Sequence, residues 1–176
     1  MRLRPATLDD VPALNAWARD PEVIAATSDD PAATEAFAGT DWAQEVADAS
    51  ESSPFLIAEV DGRPVGALQI ADPHAEPTHY WGEIEPGLRA LDIWIGSAAD
   101  RGRGLGTEMM ALAHERCFAS PEVKAIVIDP LESNLRARRF YARLGYAEEG
   151  VRVFAEGDRC MVMRLTREAA RASHRR

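Results

Sequence analysis

The six residues Arg101–Gly106, with the sequence RGRGLG, decide the fold of this 176-residue chain. They lie between a β-rich run that ends at Ile95 and a helical pattern that begins near Thr107. Three glycines in five residues let the backbone turn tightly and approach a ligand closely. The helix that follows adds unpaired N–H groups and the positive end of its dipole. The stretch therefore predicts an anion-binding loop between a strand and a helix.

Two common phosphate-binding loops do not fit this stretch. A Walker loop requires Gly-Lys-Ser/Thr, but Gly106 is followed by Thr107 and Glu108. A Rossmann loop requires GxGxxG after the first strand of a βαβ unit, whereas these glycines are spaced differently and lie in mid-chain. The pattern that remains is Arg-x-x-Gly-x-Gly.

Composition and charge indicate a globular domain and limit its partners. Apolar residues make up 46% of the chain and charged residues 28%, which is not the composition of a disordered protein. Lys and Arg number 20 against 29 Asp and Glu, so the formal net charge is −9. DNA, RNA and anionic membranes attract proteins with a positive surface charge. Because this chain is strongly negative, we expect no nucleic-acid partner and no membrane partner. The charge suits a cationic small molecule.

Targeting and metal-binding patterns are also missing from the sequence. No apolar run approaches the roughly 20 residues that span a bilayer, and the start, MRLRPATLDD, turns acidic where a secretory signal is apolar. We therefore expect a cytoplasmic protein. The four histidines form no HxH or HExxH pattern, and Cys117 and Cys160 belong to no CxxC. Two reduced thiols and no metal site are expected.

Periodicity and turn signals predict the class α/β (α+β), with one domain over residues 1–166 and a basic C-terminal tail over 167–176 that frays. Asp61-Gly62 is a hairpin signal, and residues 71–87 are predicted to be mainly loop. The predicted strands are 2–5, 55–60, 65–70, 88–95, 125–129, 147–154 and 160–165. The predicted helices are one from the N-cap Asp9 to about Arg19, a helical region over 31–50 that breaks near Gly39, and helices over 107–119 and 133–144.

A second motif follows the predicted strand that ends at Ile128-Asp129-Pro130. The next helix begins in Ser133–Ala137, contains Tyr141 and closes at Leu144-Gly145-Tyr146. Asn134 and Tyr141 are two helical turns apart, so both point to one side of the helix. The alternative is that Tyr141 belongs to the core and Asn134 is only an N-cap.

Together the two motifs resemble those of the GNAT superfamily of acyl-CoA N-acyltransferases. The resemblance implies the GNAT acyltransferase fold, in which a central mixed β-sheet flanked by helices is splayed between strands 4 and 5 and holds acetyl-CoA in the splay. It implies that acetyl-CoA is the co-substrate, with no metal, and that Tyr141 protonates the departing thiolate. The implied cofactor-binding residues are Ile95, Arg101, Gly102, Arg103, Gly104, Leu105, Gly106, Thr107, Asn134, Ala137 and Tyr141.

Within that superfamily, roughly residues 54–165 are similar to the aminoglycoside 6′-N-acetyltransferases. The specific parts are the Pro-Gly-x-Arg-x-x-Asp run at 86–92 and the Asp-Pro-x-x-Ser-Asn-Leu-Arg-Ala segment at 129–137. The similarity implies acetylation of an amine of these antibiotics, the 6′-amino group, by direct transfer in a ternary complex that confers resistance. The implied substrate-binding residues are Tyr80, Trp81, Glu83, Asp92, Asp129 and Glu156. Those enzymes carry an acid just before their aromatic pair, whereas here Glu76–His79 precedes Tyr80-Trp81, which leaves drug range and regioselectivity open.

Asp92 is the candidate base. Strand alternation places it on the face opposite Leu91 and Ile93. A carboxylate in the middle of a strand needs a partner, water or a cationic ligand. In the enzymes that the sequence resembles, the matching Asp receives the proton of the substrate ammonium. The alternative is a salt bridge to Arg89 or another arginine.

Two other functions remain open. One is a GNAT acyltransferase that acts on a peptide N-terminal amine or a siderophore precursor. The other is a domain that senses acyl-CoA without turnover, against which the retention of Asp92 and Tyr141 argues. The sequence leaves monomer and homodimer both possible. Trp42 is a weak candidate for lining the acceptor site, and the other loop acids are expected to be solvated.

Overall fold

Groups of helices are interleaved with groups of strands in the described part of the chain, residues 1–154 and 157–173 of the computed structural model. The seven strands are β1 (Arg2–Pro5), β2 (Phe55–Val60), β3 (Arg63–Ala71), β4 (Leu88–Ile95), β5 (Ala125–Ile128), β6 (Ala147–Val153) and β7 (Arg159–Thr166). The α-helices are α1 (Val11–Ala18), α2 (Pro21–Thr27), α3 (Trp42–Asp48), α4 (Leu105–Ala119), α5 (Leu135–Arg143) and α6 (Arg167–Ser173). The hydrogen-bonded strand order is β1-β2-β3-β4-β5-β7-β6, which confirms the predicted mixed sheet flanked by helices.

The chain divides into two units that share β4. The first contains Met1–Ile70 and Asp92–Ala113, and the second contains Ala71–Leu91 and the chain from His114 onward. Each has its own apolar core. Buried core residues of the first unit are Leu14, Ala18, Trp42, Phe55, Ile57 and Ala67. Those of the second are Trp81, Leu88, Ala90, Ala125, Val127, Leu131, Phe154, Cys160 and Val162.

The first unit contains an antiparallel meander of β1, β2 and β3. Arg2 pairs with Glu59 across β1 and β2, and Phe55 pairs with Gln69 across β2 and β3. The hairpin between β2 and β3 turns at Asp61 and Gly62, whose φ angles are 50° and 79°. Positive φ at both central residues is what a two-residue hairpin with the right twist requires. The predicted hairpin is therefore confirmed.

The second unit contains a short parallel ladder. Leu88 of β4 pairs with Ala125 of β5, and the register continues to Ala90 and Val127. β5 then pairs antiparallel with β7, and β7 with β6. A parallel pair requires a crossover connection, and here the connection contains α4. β4 itself runs on to Ile95, five residues beyond its last pair with β5.

The prediction for the first helices was partly wrong. The expected helix from Asp9 to Arg19 is a 3₁₀ turn at Leu8–Asp10 followed by α1. Helix α2 was not predicted from the sequence. The Asp20 carboxylate caps α2 by accepting from the backbone N–H groups of Glu22 and Val23. Pro21 at its first position needs no hydrogen-bond partner.

The expected helical region over 31–50 contains only α3. Phe37 and Gly39 have φ angles of 55° and 84°, which a right-handed helix cannot include. Asp41 caps α3 by accepting from the N–H groups of Ala43 at 3.0 Å and Gln44 at 3.2 Å. The helix therefore begins after the turn and not before it.

The expectation of a fraying tail was wrong for residues 167–173, which form α6; residues 174–176 lie outside the described part. The Arg167 guanidinium donates hydrogen bonds to the backbone carbonyl groups of Phe118, Ser120 and Val123. Ala170 is buried against the same unit. A basic run normally indicates a solvated segment, and here the carbonyl groups that anchor it are distant in sequence.

No helix among the described residues is long and apolar enough to cross a membrane.

A buried ion network joins β1 to the turn before α1. Arg4 donates from both terminal nitrogens to the two carboxylate oxygens of Asp10, each at 2.7 Å, and from Nε to Glu59 at 2.8 Å. The hydrogen bonds from Arg4 hold the pKa of Asp10 below its ordinary value, although burial opposes this. Asp10 therefore stabilises the fold as a carboxylate.

We predict that Asp10→Asn lowers the free energy of unfolding at neutral pH by about 1–3 kcal/mol, because Arg4 loses a charged partner. Since the folded-state pKa of Asp10 lies below the unfolded value, its contribution is present above about pH 4 and is lost as the pH falls through the folded-state pKa. The variant should consequently lose less stability than the wild type on acidification. Urea unfolding at several pH values measures both effects.

The matched control is Asp9→Asn, which changes the neighbouring, exposed carboxyl. It should follow the wild type throughout the pH range. An Asp10→Asn protein as stable as the wild type at neutral pH would contradict the prediction.

Candidate active site

The glycine loop of the first unit has the geometry of an anion-binding turn. Gly102 and Gly104 have φ angles of 71° and 83°, a region that L side chains rarely adopt. A Cβ atom at either position would meet nothing within 4 Å, so the space beside the loop is open. Glycine is needed here for backbone conformation and leaves the loop accessible.

Helix α4 begins two residues earlier than predicted, at Leu105. Its first full helical hydrogen bond runs from the N–H of Glu108 to the carbonyl of Gly104, at 3.1 Å. The N–H groups of Leu105 and Gly106 precede that bond and have no carbonyl behind them in the helix. They are the donors that an anion at the helix N-terminus would use.

The Arg101 side chain holds the start of this loop in place. Its guanidinium donates to the carbonyl of Gly96 at 2.7 Å and lies 2.7 Å from Asp20, the residue that caps α2. Only 12% of the Arg101 side chain is exposed. Burial acts to raise the pKa of Asp20, but hydrogen bonds from Arg101 and the helix backbone leave that pKa below its ordinary value. Arg101 therefore joins the end of β4 to α2.

The neighbouring cationic side chain is more open. The Arg103 side chain is 63% exposed and lies 3.5 Å from Asp100, which is itself held by two hydrogen bonds of 2.7 Å from Arg63. Thr107 is exposed in the first turn of α4, and Ile95 is half-buried.

Asp92 is exposed on β4, and Leu91 beside it is buried, as strand alternation predicted. The strand is fixed next to Asp92 by the ring of Trp94, whose centroid lies 4.8 Å from that of Phe37 and 5.7 Å from that of Trp42. Trp42 is buried in this aromatic cluster. Its role in the structure is core packing, which was not the role suggested for it at the acceptor site.

In the second unit the structure brings two predicted substrate-binding residues together. Asp129 follows the last residue of β5, and its Oδ2 accepts a hydrogen bond of 2.7 Å from the Tyr80 hydroxyl. Burial raises the pKa of the Asp129 carboxyl, while the hydrogen bond from Tyr80 and the charge of Arg152 act in the opposite direction. The result is a half-buried acid with a raised pKa, which a nearby cation would stabilise in its charged form.

Tyr80 belongs to a cluster of three aromatic rings. It stacks on Phe154 with centroids 4.4 Å apart and an interplanar angle of 5°, and Trp81 meets both rings edge-on. The Arg152 guanidinium carbon lies 5.2 Å from the centroid of the Phe154 ring. No sequence signal pointed to Phe154 or Arg152, because nothing in the sequence of a strand indicates which distant loop will pack on it.

Asn134 caps α5, since its Oδ1 accepts from the N–H of Ala137 at 3.0 Å. Asn134 is thus an N-cap, as the alternative interpretation predicted. Its contact with the cofactor stays a prediction. Tyr141 is half-buried, and its ring lies 5.2 Å from Phe140 and 5.7 Å from Tyr146.

The acids of the 71–87 loop mostly hold that loop in shape. Asp72 pairs with Arg89 at 3.0 Å, and Glu85 pairs with Arg164 at 2.8 Å. Glu83, a predicted substrate contact, is exposed. Glu156, another predicted contact, lies outside the described residues.

No group of three or more His, Cys, Asp or Glu side chains suited to a metal ion occurs in the described part of the chain. Cys117 is buried, which raises the pKa of its thiol to about 12. It is therefore protonated at neutral pH and not poised as a nucleophile.

Comparisons with known proteins give the family. A family model described as an acetyltransferase (GNAT) domain matches residues 6–154. Aminoglycoside N(6′)-acetyltransferase type 1 of Serratia marcescens is 34% identical over 72% of this chain and 63% of its own length. The kanamycin resistance protein of Rhizobium radiobacter is 38% identical over 49% of this chain and 80% of its own length. The chain thus spans a little over three fifths of the Serratia relative.

A solved structure shows the same fold. It is that of an aminoglycoside acetyltransferase, AAC(6′)-Ib, in complex with coenzyme A and kanamycin. The likeness has a TM-score of 0.81 and 28% identity, and it covers 98% of each chain. The glycine loop, the strand order and the family match agree, and the chain belongs to the GNAT family of acetyltransferases.

Proposed function

We propose that this chain is an acetyl-CoA-dependent N-acetyltransferase that acetylates an aminoglycoside at its 6′-amino group and so confers resistance. The observation that carries the proposal is the likeness over almost the whole chain to an aminoglycoside acetyltransferase solved with coenzyme A and kanamycin. The names of the Serratia and Rhizobium relatives support the same acceptor. A half-buried carboxyl beside aromatic rings, as at Asp129, has the chemistry to bind an ammonium group on a sugar.

The glycine loop fits the pyrophosphate of acetyl-CoA. The open space beside Gly102 and Gly104 admits phosphate groups, and the N–H groups of Leu105 and Gly106 would donate to them. Acetyl-CoA supplies an acetyl group activated as a thioester. The proposed binding residues are Ile95, Arg101, Gly102, Arg103, Gly104, Leu105, Gly106, Thr107, Asn134, Ala137 and Tyr141.

Transfer to an amine requires a neutral nucleophile, so the substrate ammonium must lose a proton. Asp92, exposed on β4, would accept that proton directly or through water. The Tyr141 hydroxyl would donate its proton to the sulfur that leaves. Direct transfer in a ternary complex needs no covalent intermediate, and neither cysteine lies in a motif that would suggest one.

The acceptor would be held by acidic and aromatic side chains. Tyr80, Trp81 and Asp129 form one cluster in the second unit. Glu83 and Glu156 would add further negative charge, as the resemblance implies. The net charge of −9 favours the approach of a polycation.

The first test is thiol release from acetyl-CoA by the purified protein, with kanamycin, tobramycin, amikacin and gentamicin as acceptors and a peptide N-terminal amine as control. We expect saturable release with drugs that carry a free 6′-amine and none with the peptide. Release with the peptide alone would make the chain a peptide acetyltransferase. Binding of CoA without turnover on any amine would indicate a sensor domain.

We predict that Asp92→Asn lowers kcat with kanamycin by roughly 10²–10⁴-fold, because the amide cannot accept the ammonium proton. The dissociation constant of CoA, measured by calorimetry, should stay unchanged. Asp61→Asn is the matched control, since it neutralises another exposed acid of the same unit at a turn position that Asn tolerates. An Asp92→Asn enzyme with wild-type kcat would exclude Asp92 as the base.

We predict that Gly104→Asp abolishes CoA binding, because it places a carboxylate beside the phosphates. Gly104→Asn produces a similar side chain at the same φ of 83° without the charge, and should weaken binding much less. Gly62→Asp, at a φ of 79° and also with open space around it, is the control for backbone strain. Calorimetric titration with CoA measures all three. Equal losses for the Asp and Asn variants at Gly104 would mean that charge beside the phosphates is not the cause.

A further inference from the structure

The half-buried Asp129 carboxyl is held differently from the buried carboxylates of Asp10 and Asp100. Asp10 and Asp100 each accept two hydrogen bonds from the terminal nitrogens of one arginine. Asp129 instead accepts from a neutral hydroxyl, that of Tyr80, at 2.7 Å. A neutral donor fixes the direction of a carboxylate without cancelling its charge. The remaining lone pairs of Asp129 can therefore still bind a cation.

The Tyr80 hydroxyl is itself held in position by its ring. The ring is 39% exposed and stacks on Phe154, which is 95% buried (5% exposed) in the core of the second unit. Trp81, also buried, meets the Tyr80 ring at an interplanar angle of 80°. A nearly parallel stacked pair and one edge-on neighbour leave the Tyr80 ring few alternative orientations. Packing on Phe154 therefore decides where the hydroxyl points.

Arg152 completes the support. It donates a hydrogen bond of 2.9 Å to the carbonyl of Trp81 and lies against the ring of Phe154. It thereby ties β6 to the loop that carries Tyr80. Among the described residues, the ionisable side chains that act on Asp129 are Tyr80 from this loop and Arg152 from β6.

We propose that Tyr80 is a positioning residue that orients the Asp129 carboxyl and so presents it to an ammonium group of the aminoglycoside, and that Phe154 holds Tyr80 for this purpose. The inference rests on the proposed function, because it takes Asp129 to be a substrate contact. It assigns roles to the Tyr80 hydroxyl and to Phe154 that go beyond contact between an aromatic face and a sugar.

The proposal has a pH signature. Burial raises the pKa of Asp129, and the hydrogen bond from Tyr80 opposes that rise. Removal of the hydroxyl should therefore raise the pKa further. A protonated Asp129 no longer attracts an ammonium group, so kcat/KM for the drug falls on the acidic side of this pKa. In Tyr80→Phe the acidic limb of that profile should move to higher pH.

The experiment measures kcat/KM for kanamycin against pH, together with KM for acetyl-CoA, in the wild type, three variants and a matched control. Tyr80→Phe should lose roughly tenfold in kcat/KM at the acidic limb and shift the limb upward. Phe154→Leu should shift it in the same direction, because the Tyr80 ring is no longer held. Asp129→Asn should abolish the limb and raise KM for the drug. KM for acetyl-CoA should not change in any of these variants.

Tyr146→Phe is the matched control, since it removes a buried hydroxyl that hydrogen-bonds to His114 at 2.9 Å elsewhere in the same unit. It should leave the position of the acidic limb unchanged. If the acidic limb moves as far in Tyr146→Phe as in Tyr80→Phe, the shift is caused by general destabilisation of the unit, and the proposal is overturned.

The outcomes separate the inference from the function on which it rests. If the wild type acetylates kanamycin, and Asp129→Asn impairs it while Tyr80→Phe keeps the wild-type profile, only the inference is wrong. Tighter drug binding in Tyr80→Phe would also overturn it, because Tyr80 would then compete with the drug for Asp129. If the wild type acetylates no aminoglycoside, the proposed function is wrong and the inference falls with it.

Discussion

The structure depends on how an acid-rich chain satisfies the carboxylates that it buries. Arg4 bridges Asp10 and Glu59, and Arg63 holds Asp100, so each of these acids has an arginine in direct contact. A buried carboxylate without such a partner would cost several kcal/mol. Asp129, which is half-buried, differs from these acids because its side-chain donor is the neutral hydroxyl of Tyr80. Within the described residues its charge is therefore not cancelled by a direct arginine contact, which is the basis for proposing that it binds a cation.

In the glycine loop, conformation and position have different structural origins. Its conformation comes from positive φ angles at Gly102 and Gly104, and its position comes from the Arg101 side chain. Because Arg101 contacts the end of β4 and the cap of α2, a change in either element would move the loop. The backbone N–H groups at the start of α4 are the donors proposed for the pyrophosphate. The proposed binding groups and the supporting side chain are therefore different parts of one short motif.

Sequence patterns predicted the elements whose signals are local. The strands 55–60 and 88–95 have the predicted bounds, and the Asp61-Gly62 turn has the predicted conformation. The errors lie in the stretch that contains α2 and α3, and in α6. In the first, Asp20 and Asp41 act as caps, and an Asp alone does not show which of several acids will cap a helix. In the second, α6 is anchored by carbonyl groups about 45 residues away in the sequence.

The sequence by itself determined the family motifs, the class of the fold and the candidate acid and base, because glycine conformation, strand alternation and helical spacing are local properties. Only the tertiary structure decided how the predicted substrate residues are supported. Tyr80 and Asp129 are 49 residues apart, and the hydroxyl reaches the carboxylate because the Tyr80 ring stacks on Phe154 of the last hairpin. No periodicity encodes that contact, since it depends on which side of the sheet the 71–87 loop covers.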